Sequence, residues 1–231
     1  MQNLNVTDTE YICDIPAPCL QLLLPEEIEL VRASKTQVMF RKDDNLTKQG
    51  AFASYILFII KGIAKQYIEG NGTKNYNLRI IKPGEFVGLS SVFTKQTLNY
   101  SSIAITDCQV ILIENTVIEK LVKNNGLFGF NIIKRYCEQN ANLFETVRSI
   151  LYKQMNGHLA DTLLYLDSFK SEFPEIFQLL SRKDIADFAG ISTESAVKLL
   201  KNFERDGLIK LNEKDIQLLN KDSLIQIGQK G

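Results

Sequence analysis

The chain has 231 residues, 45% of them hydrophobic, and its 27 basic side chains balance 27 acidic ones. This composition excludes a disordered chain and provides enough apolar residues for two ordinary domains. The first residues, MQNLNVTDTEYIC, lack the basic and apolar regions of a signal peptide, and the longest apolar run, YILFII at 55–60, is too short to span a membrane. Four cysteines favour a reducing compartment over a disulfide framework, so we expect a cytoplasmic protein that contacts no membrane.

Short apolar runs alternate with turn sequences from about residue 35 to 118. The predicted strands are VMF (38–40), YILFII (55–60), GIAKQYI (62–68), NYNLRII (75–81), SIAI (102–105) and CQVILI (108–113). Asn71-Gly72 and the KPGE segment at 82–85 predict turns. Many short strands separated by turns are typical of a β-sandwich, jelly roll or barrel. The preceding PEEIELVRAS (25–34) has apolar residues at helical spacing and predicts a helix.

The apolar spacing becomes helical between about residues 117 and 156. Steps of three and four, typical of a heptad seam, connect Ile133, Tyr136, Asn140, Leu143, Val147 and Ile150. A second stripe repeats every seven residues at Phe130, Cys137, Phe144 and Leu151. These patterns predict a helix of about 28 residues, ~42 Å long. One stripe is expected to pack on the β-domain and the other on the same helix of a second subunit, with Asn140 fixing their register. A helix buried within one domain is the alternative.

Residues 181–207, SRKDIADFAGISTESAVKLLKNFERDG, predict a helix, a tight turn and a second helix. Ser181 and Asp184 form a capping box for the first helix, Gly190 provides the turn, and Ser192 caps the second helix. The following LIKLNEKDIQLL predicts a two-stranded wing. Together these features describe a winged helix-turn-helix, whose second helix enters the major groove by its N-terminal end. An ordinary pair of antiparallel helices is the alternative.

The polar face of the second helix suggests how it reads DNA. Glu194 can accept a hydrogen bond from cytosine N4, and Lys198 can donate to guanine O6 or N7. Thr193 suits a thymine methyl or a phosphate. Phosphate contacts are predicted for Ser181, Arg182 and Ser192 at the helix N-termini, and Lys201 lies on the DNA-facing side. Residues 157–231 contain 10 basic and 12 acidic side chains, so we expect weak non-specific affinity and a modest salt dependence.

Three segments together resemble the CRP/FNR family of bacterial transcription regulators, in particular its Bacteroidetes-type members. They are KPGEFVGLSSVF at 82–93, the seam helix, and LSRKDIADFAGISTESAVKLLKNF at 180–203, and the resemblance covers about residues 25 to 228. It implies an α+β protein with three parts. These are an N-terminal cyclic-nucleotide-binding-like β-roll (jelly roll) that senses an effector (1–118), a long dimerisation helix (119–156) and a C-terminal winged helix-turn-helix that binds DNA (157–231).

The resemblance also implies partners: a second copy of the chain, a palindromic operator in double-stranded DNA, and RNA polymerase. Thr193, Glu194 and Lys198 fall on the family's base-reading positions. The family usually has arginine where Lys198 stands. Lysine keeps the charge but lacks the bidentate fork, so weaker selectivity for guanine is expected.

In this family KPGEFVGLSSVF belongs to the effector pocket. Cyclic-nucleotide-binding members continue with a glutamate after the glycine and, a short gap later, an arginine for the phosphate. Here Leu89 stands at the glutamate position, and TLNYSSIA at 97–104 contains no cation. Without arginine a phosphate loses a charge-assisted pair of roughly a few kcal/mol, and only Lys95 or Arg79 could replace it. The candidate pocket residues are Gly88, Leu89, Ser90, Ser91, Tyr100 and Ser101. We therefore expect no cofactor and no tight cAMP or cGMP site, but an uncharged effector or none.

Two other functions are weighed against this one. A redox-sensing regulator would use Cys13 and Cys19, although their spacing lacks the C-x-x-C pair of FNR-type iron–sulfur sensors. A cyclic-nucleotide-like regulatory module would not bind DNA, and would have no need of the capped helix-turn-helix. The single histidine, His158, lies outside the pocket and is not expected to hold haem. The sequence has no nucleophile and base motif, no P-loop and no metal-ligand spacing, so we expect neither an enzyme nor a metal site.

Overall fold

The structure, a computed structural model, describes residues 2–3, 20–70, 74–94 and 97–230. These residues divide into two compact units, one within 1–69 and 79–141 and the other within 70–78 and 142–231. Several residues discussed above lie outside the described residues: Cys13, Cys19, Asn71, Gly72 and Lys95. No helix in the described ranges has the length and apolarity needed to cross a bilayer.

Two β-sheets form the predicted β-roll. In chain order the strands are β1 (Gln2–Asn3), β2 (Thr36–Phe40), β3 (Asn45–Thr47), β4 (Tyr55–Lys61), β5 (Ala64–Glu69), β6 (Asn75–Ile81), β7 (Phe86–Val87), β8 (Ser101–Ala104) and β9 (Cys108–Glu114). One sheet has the order β1-β2-β9-β4-β7 and the other β3-β8-β5-β6. Each of the six predicted strands is confirmed, within a few residues at its ends. The sequence analysis missed β1, β3 and β7, which have only two or three residues and hence no readable alternation.

Four helices accompany these strands. They are α1 (Pro25–Ser34), which follows a 3-10 turn at Leu20–Leu22, α2 (Ser90–Phe93), α3 (Asn115–Asn124) and α4 (Gly126–Tyr152). Asn125 separates α3 from α4. Its side-chain oxygen accepts from the Phe128 N–H at 3.0 Å, and its amide donates to the Leu22 carbonyl at 3.0 Å and the Glu27 carboxylate at 2.7 Å. Because Asn125 caps a new helix, the helical region that begins near residue 117 is two helices.

Strand β4 explains why its sequence is continuously apolar. Ile56 and Phe58 join a core cluster with side chains of α1, α3 and the start of α4. Leu57 and Ile59 point the other way, into a cluster between the two sheets. Since each face of β4 is covered, alternation with polar residues is lost. Phe58 is fully buried, and burial of such a side chain contributes about 1.5–3 kcal/mol.

Helix α4 has 27 residues and confirms the predicted long helix. It buries only Phe128, Gly129 and Ile132, all in its first two turns. The seam residues are exposed, with Ile133 59% and Ile150 48% accessible in the single chain. The second stripe, Phe130, Cys137, Phe144 and Leu151, is exposed as well. The prediction that one of the two stripes packs on the β-domain is therefore wrong, because Phe128 and Ile132 make that contact instead.

The second unit contains the predicted helix-turn-helix and wing. Its elements are α5 (Met155–Asp167), α6 (Ile176–Leu179), α7 (Arg182–Ala189), α8 (Thr193–Arg205), β10 (Ile209–Asn212), β11 (Asp215–Leu218) and α9 (Lys221–Lys230). Helix α9 was not predicted. It lies so close to α5 that a Cβ at Gly228 would be 2.2 Å from the Asp161 carboxylate. Glycine allows this close packing of α9 on α5, and no local sequence pattern predicts it.

Candidate nucleic-acid interface and effector pocket

The predicted caps fix the geometry of the helix-turn-helix. The Ser181 hydroxyl accepts from the Asp184 N–H at 3.1 Å, and the Asp184 carboxylate accepts from the Ser181 N–H at 2.8 Å. The Ser192 hydroxyl accepts from the Ser195 N–H at 3.1 Å. Gly190 has φ 64°, and a Cβ there would lie 2.9 Å from the Tyr76 ring. A left-handed turn against an aromatic ring requires glycine, so the start of α8 is held firmly.

The N-terminal face of α8 brings several predicted DNA-binding residues together. One open surface depression of about 520 Å³ is lined by Thr193, Glu194, Val197, Lys198 and Lys201. Within the part of the chain that the structure describes, no hydrogen bond or ion pair engages Lys198 or Lys201. Val197 was missed by the sequence analysis, which considered only polar side chains on this face. Its methyl groups suit apolar contact with a thymine methyl.

Glu194 occupies the first turn of α8. Hydrogen bonds from its own backbone N–H and from the Ser192 side chain hold the pKa of the Glu194 carboxyl below its usual range. The unpaired N–H groups of a helix N-terminus favour an anion in this position. Glu194 is therefore an acceptor at neutral pH, as contact with cytosine N4 requires.

Arg182 has a different environment from the other predicted phosphate contacts. Its Nη2 donates to the carbonyl of Glu213 at 2.9 Å, in the turn between β10 and β11. Burial lowers the pKa of this guanidinium, with Asp215 opposing the shift. Arg182 thus holds the wing. It is therefore a weaker candidate for phosphate contact than Ser181 and Ser192, which are exposed.

Two further side chains hold the wing. The Lys170 ammonium donates to the Ile216 carbonyl at 2.8 Å, and the Glu204 carboxylate accepts from the Leu211 N–H at 2.8 Å. Glu204 belongs to α8, so the wing is bonded directly to the helix that carries Lys198. The sequence analysis did not identify these anchors, because each side chain bonds a backbone group, and side-chain pattern does not predict such a partner.

At the candidate effector pocket, several polar groups of the GLSS turn are bonded to the protein itself. Gly88 has φ 84°, and its N–H donates to the Tyr100 hydroxyl at 2.7 Å. The Ser91 hydroxyl donates to the Gly88 carbonyl at 2.8 Å and accepts from the Asn115 amide at 3.3 Å. Burial raises the pKa of the Tyr100 phenol, so this hydroxyl stays neutral at physiological pH. Gly88, Ser91 and Tyr100 are therefore brought together by direct hydrogen bonds.

The remaining pocket candidates have separate environments. Leu89 packs against the cluster formed with α1 and α3. The Ser101 hydroxyl donates to the Glu69 carboxylate and accepts from the Gln49 N–H at 2.8 Å. The Ser90 hydroxyl is buried and has no hydrogen-bond partner among the described residues.

Leu98 lies beside the candidate effector turn at Gly88, and the sequence analysis did not identify it. It is 5% exposed, and its Cδ2 would be 3.2 Å from a Cβ at Gly88. Arg79, one of the cations considered as a substitute for the phosphate-binding arginine, is ion-paired with Glu85. Its Nε also donates to the Gln66 side chain at 2.9 Å. An apolar side chain and a bonded phenol thus occupy the surroundings of Gly88.

The described cysteines are unlike each other. Cys108 is buried, and burial raises the pKa of its thiol to about 12. A thiol in this state is inert as a nucleophile. Cys137 is exposed on α4. No group of three or more histidine, cysteine, aspartate or glutamate residues with metal-binding geometry occurs in the described ranges.

Two family models match this chain, one toward the N-terminus and one toward the C-terminus. The model of the cyclic nucleotide-binding domain matches residues 37–125, and that of the Crp-like helix-turn-helix domain matches residues 157–227. The Anaerobic regulatory protein of Bacillus subtilis is 24% identical over 205 residues, covering 87% of this chain and 86% of that protein. The cAMP-activated global transcriptional regulator CRP of Salmonella typhimurium is 26% identical over 179 residues, covering 74% and 83%.

Solved structures show the same fold. FixK2 from Bradyrhizobium japonicum aligns with a TM-score of 0.72 at 19% identity, over 84% of this chain and 96% of that chain. The c-di-GMP responsive global regulator CLP from Xanthomonas campestris aligns with a TM-score of 0.70 at 19% identity, over 84% and 98%. The similar proteins are transcription regulators rather than enzymes, and the matches include both the β-roll and the helix-turn-helix.

Proposed function

The chain belongs to the CRP/FNR family of DNA-binding transcription regulators, and we propose that it binds a specific palindromic operator as a homodimer. We further propose that any effector that controls this binding is not cAMP. The observation that carries this proposal is the open N-terminal face of α8, with Glu194, Lys198 and Lys201 available to a ligand. We expect the protein to act in the cytoplasm and to contact RNA polymerase at the promoter, as the CRP/FNR family implies.

Sequence specificity follows from the chemistry of that face. Glu194 and Lys198 are four residues apart, about one helical turn, so both can reach base edges in one major groove. Thr193 and Val197 add contacts to methyl groups or phosphates. Lys198 donates as a point charge, and its discrimination is worth less than that of an arginine fork.

The homodimer is supported by the apolar surface of α4. Ten large apolar side chains of α4 are at least 42% exposed in the single chain: Leu127, Phe130, Ile133, Tyr136, Leu143, Phe144, Val147, Ile150, Leu151 and Tyr152. Soluble proteins rarely leave a patch of this kind in water. The seam pattern fits the same helix of a second copy, with Asn140 facing its counterpart and fixing register. A two-fold dimer reads two half-sites, which gives a palindromic operator.

The effector proposal rests on the surroundings of Gly88. A cyclic phosphate needs backbone N–H groups and a cation. Here the Gly88 N–H donates to the Tyr100 hydroxyl, and Arg79 forms an ion pair with Glu85. Leu98 brings an apolar side chain to the same turn. The relatives carry different effectors in their names, cAMP for one and c-di-GMP for another, so family membership alone does not select either. An uncharged effector, or none, fits this pocket better.

Fluorescence anisotropy of the ligand-free protein on DNA from its own promoter tests the proposal. Tight binding that resists a scrambled competitor is expected if the effector-free dimer is competent. Binding that appears only after an uncharged metabolite is added would support the effector pocket. Equal affinity for promoter and scrambled DNA, with and without candidate metabolites, would contradict sequence-specific binding. The salt dependence of the affinity measures how much phosphate contacts contribute to binding. A slope of log affinity against log salt that corresponds to ten or more phosphates would contradict the modest electrostatic contribution expected here.

A further inference from the structure

His158, the single histidine of the chain, connects two helix ends within the second unit. It lies in the first half of α5 and is half-buried. Its Nδ1 is 3.0 Å from the carbonyl oxygen of Ala189, and its Nε2 is 3.1 Å from the carbonyl oxygen of Ser149. Ala189 is the last residue of α7, and Ser149 belongs to the last turn of α4. One imidazole thus lies between the long helix and the helix-turn-helix.

The two partners of this ring can only accept hydrogen bonds. A neutral imidazole carries one N–H, so it can donate to one carbonyl while the lone pair of its other nitrogen faces the second oxygen. An imidazolium carries two N–H groups and can donate to both. The observed geometry, with both distances near 3 Å, is therefore fully satisfied only by the protonated ring.

The position of both carbonyls strengthens this preference. The last carbonyls of a helix carry partial negative charge and favour a nearby cation. The Ser149 carbonyl also accepts from the Lys153 N–H at 2.9 Å, which leaves it one lone pair for His158. Ala189 is the last residue of α7, so no later turn of that helix supplies an N–H to its carbonyl.

Charged groups on the helices around His158 are engaged with partners of their own. The ion pairs are Glu145 with Arg148 at 3.9 Å, Lys153 with Asp161 at 2.5 Å, Asp167 with Lys221 at 2.6 Å, and Lys183 with Asp187 at 2.6 Å. On α7, Asp184 belongs to the capping box and Arg182 bonds the wing. Tyr76 lies against Gly190, and burial raises the pKa of its phenol, so it stays neutral near pH 7.

We propose that protonation of His158 fastens α7 to the last turn of α4, which makes the position of the helix-turn-helix on the long helix sensitive to pH. When the ring is protonated, both hydrogen bonds form. When it loses the proton, one of them is lost, and the remaining nitrogen repels a carbonyl oxygen. Histidine is suited to such a switch because its unperturbed charge change falls near pH 6.5.

Nitrogen NMR of the full chain labelled with ¹⁵N-histidine tests the first step, because one histidine gives one unambiguous pair of ring signals. At pH 6.0 we expect both nitrogens protonated, with N–H protons that exchange slowly enough to be seen. At pH 8.0 we expect a single N–H. A neutral ring at pH 6.0, or ring protons that exchange as fast as those of free histidine, would overturn the proposal.

Thermal unfolding of the His158→Gln variant tests the second step. The glutamine amide offers one donating and one accepting end at every pH, like neutral imidazole, so it is a matched control. We expect wild type to exceed H158Q in Tm by about 2–4 °C more at pH 6.0 than at pH 8.0, as for one hydrogen bond in a domain of this size. The same difference at both pH values would overturn the proposal. Should H158Q fail to fold, the permanently charged His158→Arg variant should lack the pH dependence of wild type.

Both measurements use the protein without DNA, so they stay valid if the proposed operator binding fails. The consequence for function, which rests on that proposed binding, is measured separately. The operator affinity of wild type should change between pH 6.0 and 8.0 by about threefold more than that of H158Q, the equivalent of part of one hydrogen bond. Equal changes in the two proteins would contradict the role of His158 in DNA binding, while the NMR result would still decide its protonation.

Discussion

The GLSS turn of the β-roll and the first turns of α8 are both places where this family binds a ligand, yet they treat their polar groups in opposite ways. At the GLSS turn, the Gly88 N–H is bonded to Tyr100 and the Ser91 hydroxyl to the Gly88 carbonyl. On α8, Lys198 and Lys201 extend into an open depression. A family motif can thus persist in sequence while its hydrogen-bonding capacity is used within the protein. The exposed cations on α8, rather than the presence of a family motif, indicate where a ligand binds.

Introducing charges on the α4 seam should have the largest effect on operator affinity, because it should separate the proposed dimer. In the double variant Ile133→Glu and Leu143→Glu, four carboxylates would have to be buried in the proposed dimer, at a cost of several kcal/mol. We expect a monomer by sedimentation and an operator affinity at least ~100-fold weaker, since each half-site is then bound alone. Asn142→Glu, which adds a charge to α4 away from both stripes, is the control and should remain dimeric. A double variant that still sediments as a dimer would contradict the proposed seam.

Lys198 should have the next largest effect. Lys198→Ala removes a donor to guanine and should weaken operator binding by roughly 1–3 kcal/mol while relaxing specificity at one base pair in each half-site. Lys198→Arg should sharpen that position, because the guanidinium can bind guanine with two hydrogen bonds. Anisotropy with single-base operator variants measures both. If Lys198→Ala weakens binding to every sequence equally, Lys198 contacts only phosphate.

Local sequence chemistry was sufficient to predict the helix-turn-helix and most of the β-roll. Ser181, Asp184, Gly190 and Ser192 act through neighbours one to four residues away, so their spacing specifies the caps and the turn. The strand runs could be read because turn residues separate them. The open face of α8 follows from the same local pattern, since the apolar positions of an amphipathic helix determine which face remains in water.

Features that depend on distant partners could not be predicted in this way. Leu98 meets Gly88, and Arg182 meets Glu213, only after the chain has folded. Asn125 begins α4 through a local bond from the Phe128 N–H, but its amide also bonds Leu22, about a hundred residues away in sequence. The prediction that one stripe of α4 packs on the β-domain failed because a stripe reports apolarity but not which surface covers it. Sequence pattern therefore offers candidate residues for an effector pocket, while their bonding partners required the structure.

A smaller effect, on stability, is expected from a substitution at the GLSS turn. Tyr100→Phe leaves the ring in place but removes the acceptor for the Gly88 N–H, which should destabilise the protein by about 1 kcal/mol. For the whole chain this corresponds to a Tm roughly 2–4 °C lower. Ser102→Ala, a change in the adjacent strand β8 that removes a buried bond to Thr47, is a matched control for loss of one hydrogen bond. An unchanged Tm in Tyr100→Phe alone would mean that water replaces the phenol and that the turn is more open than described.

The smallest expected effect is that of cAMP itself. Calorimetry with about 1 mM cAMP should give no binding heat, because Tyr100 and Leu98 surround Gly88 and Glu85 neutralises Arg79. Glu85→Gln sharpens the test, since it releases the guanidinium from its ion pair. If the missing cation were the sole obstacle, this variant would gain affinity for cAMP over wild type. We expect both proteins to remain without measurable binding, because the Gly88 N–H is still bonded to the phenol and Leu98 still lies against the turn. Micromolar binding by wild type would contradict the closed pocket, and binding by Glu85→Gln alone would identify the ion pair as what closes it.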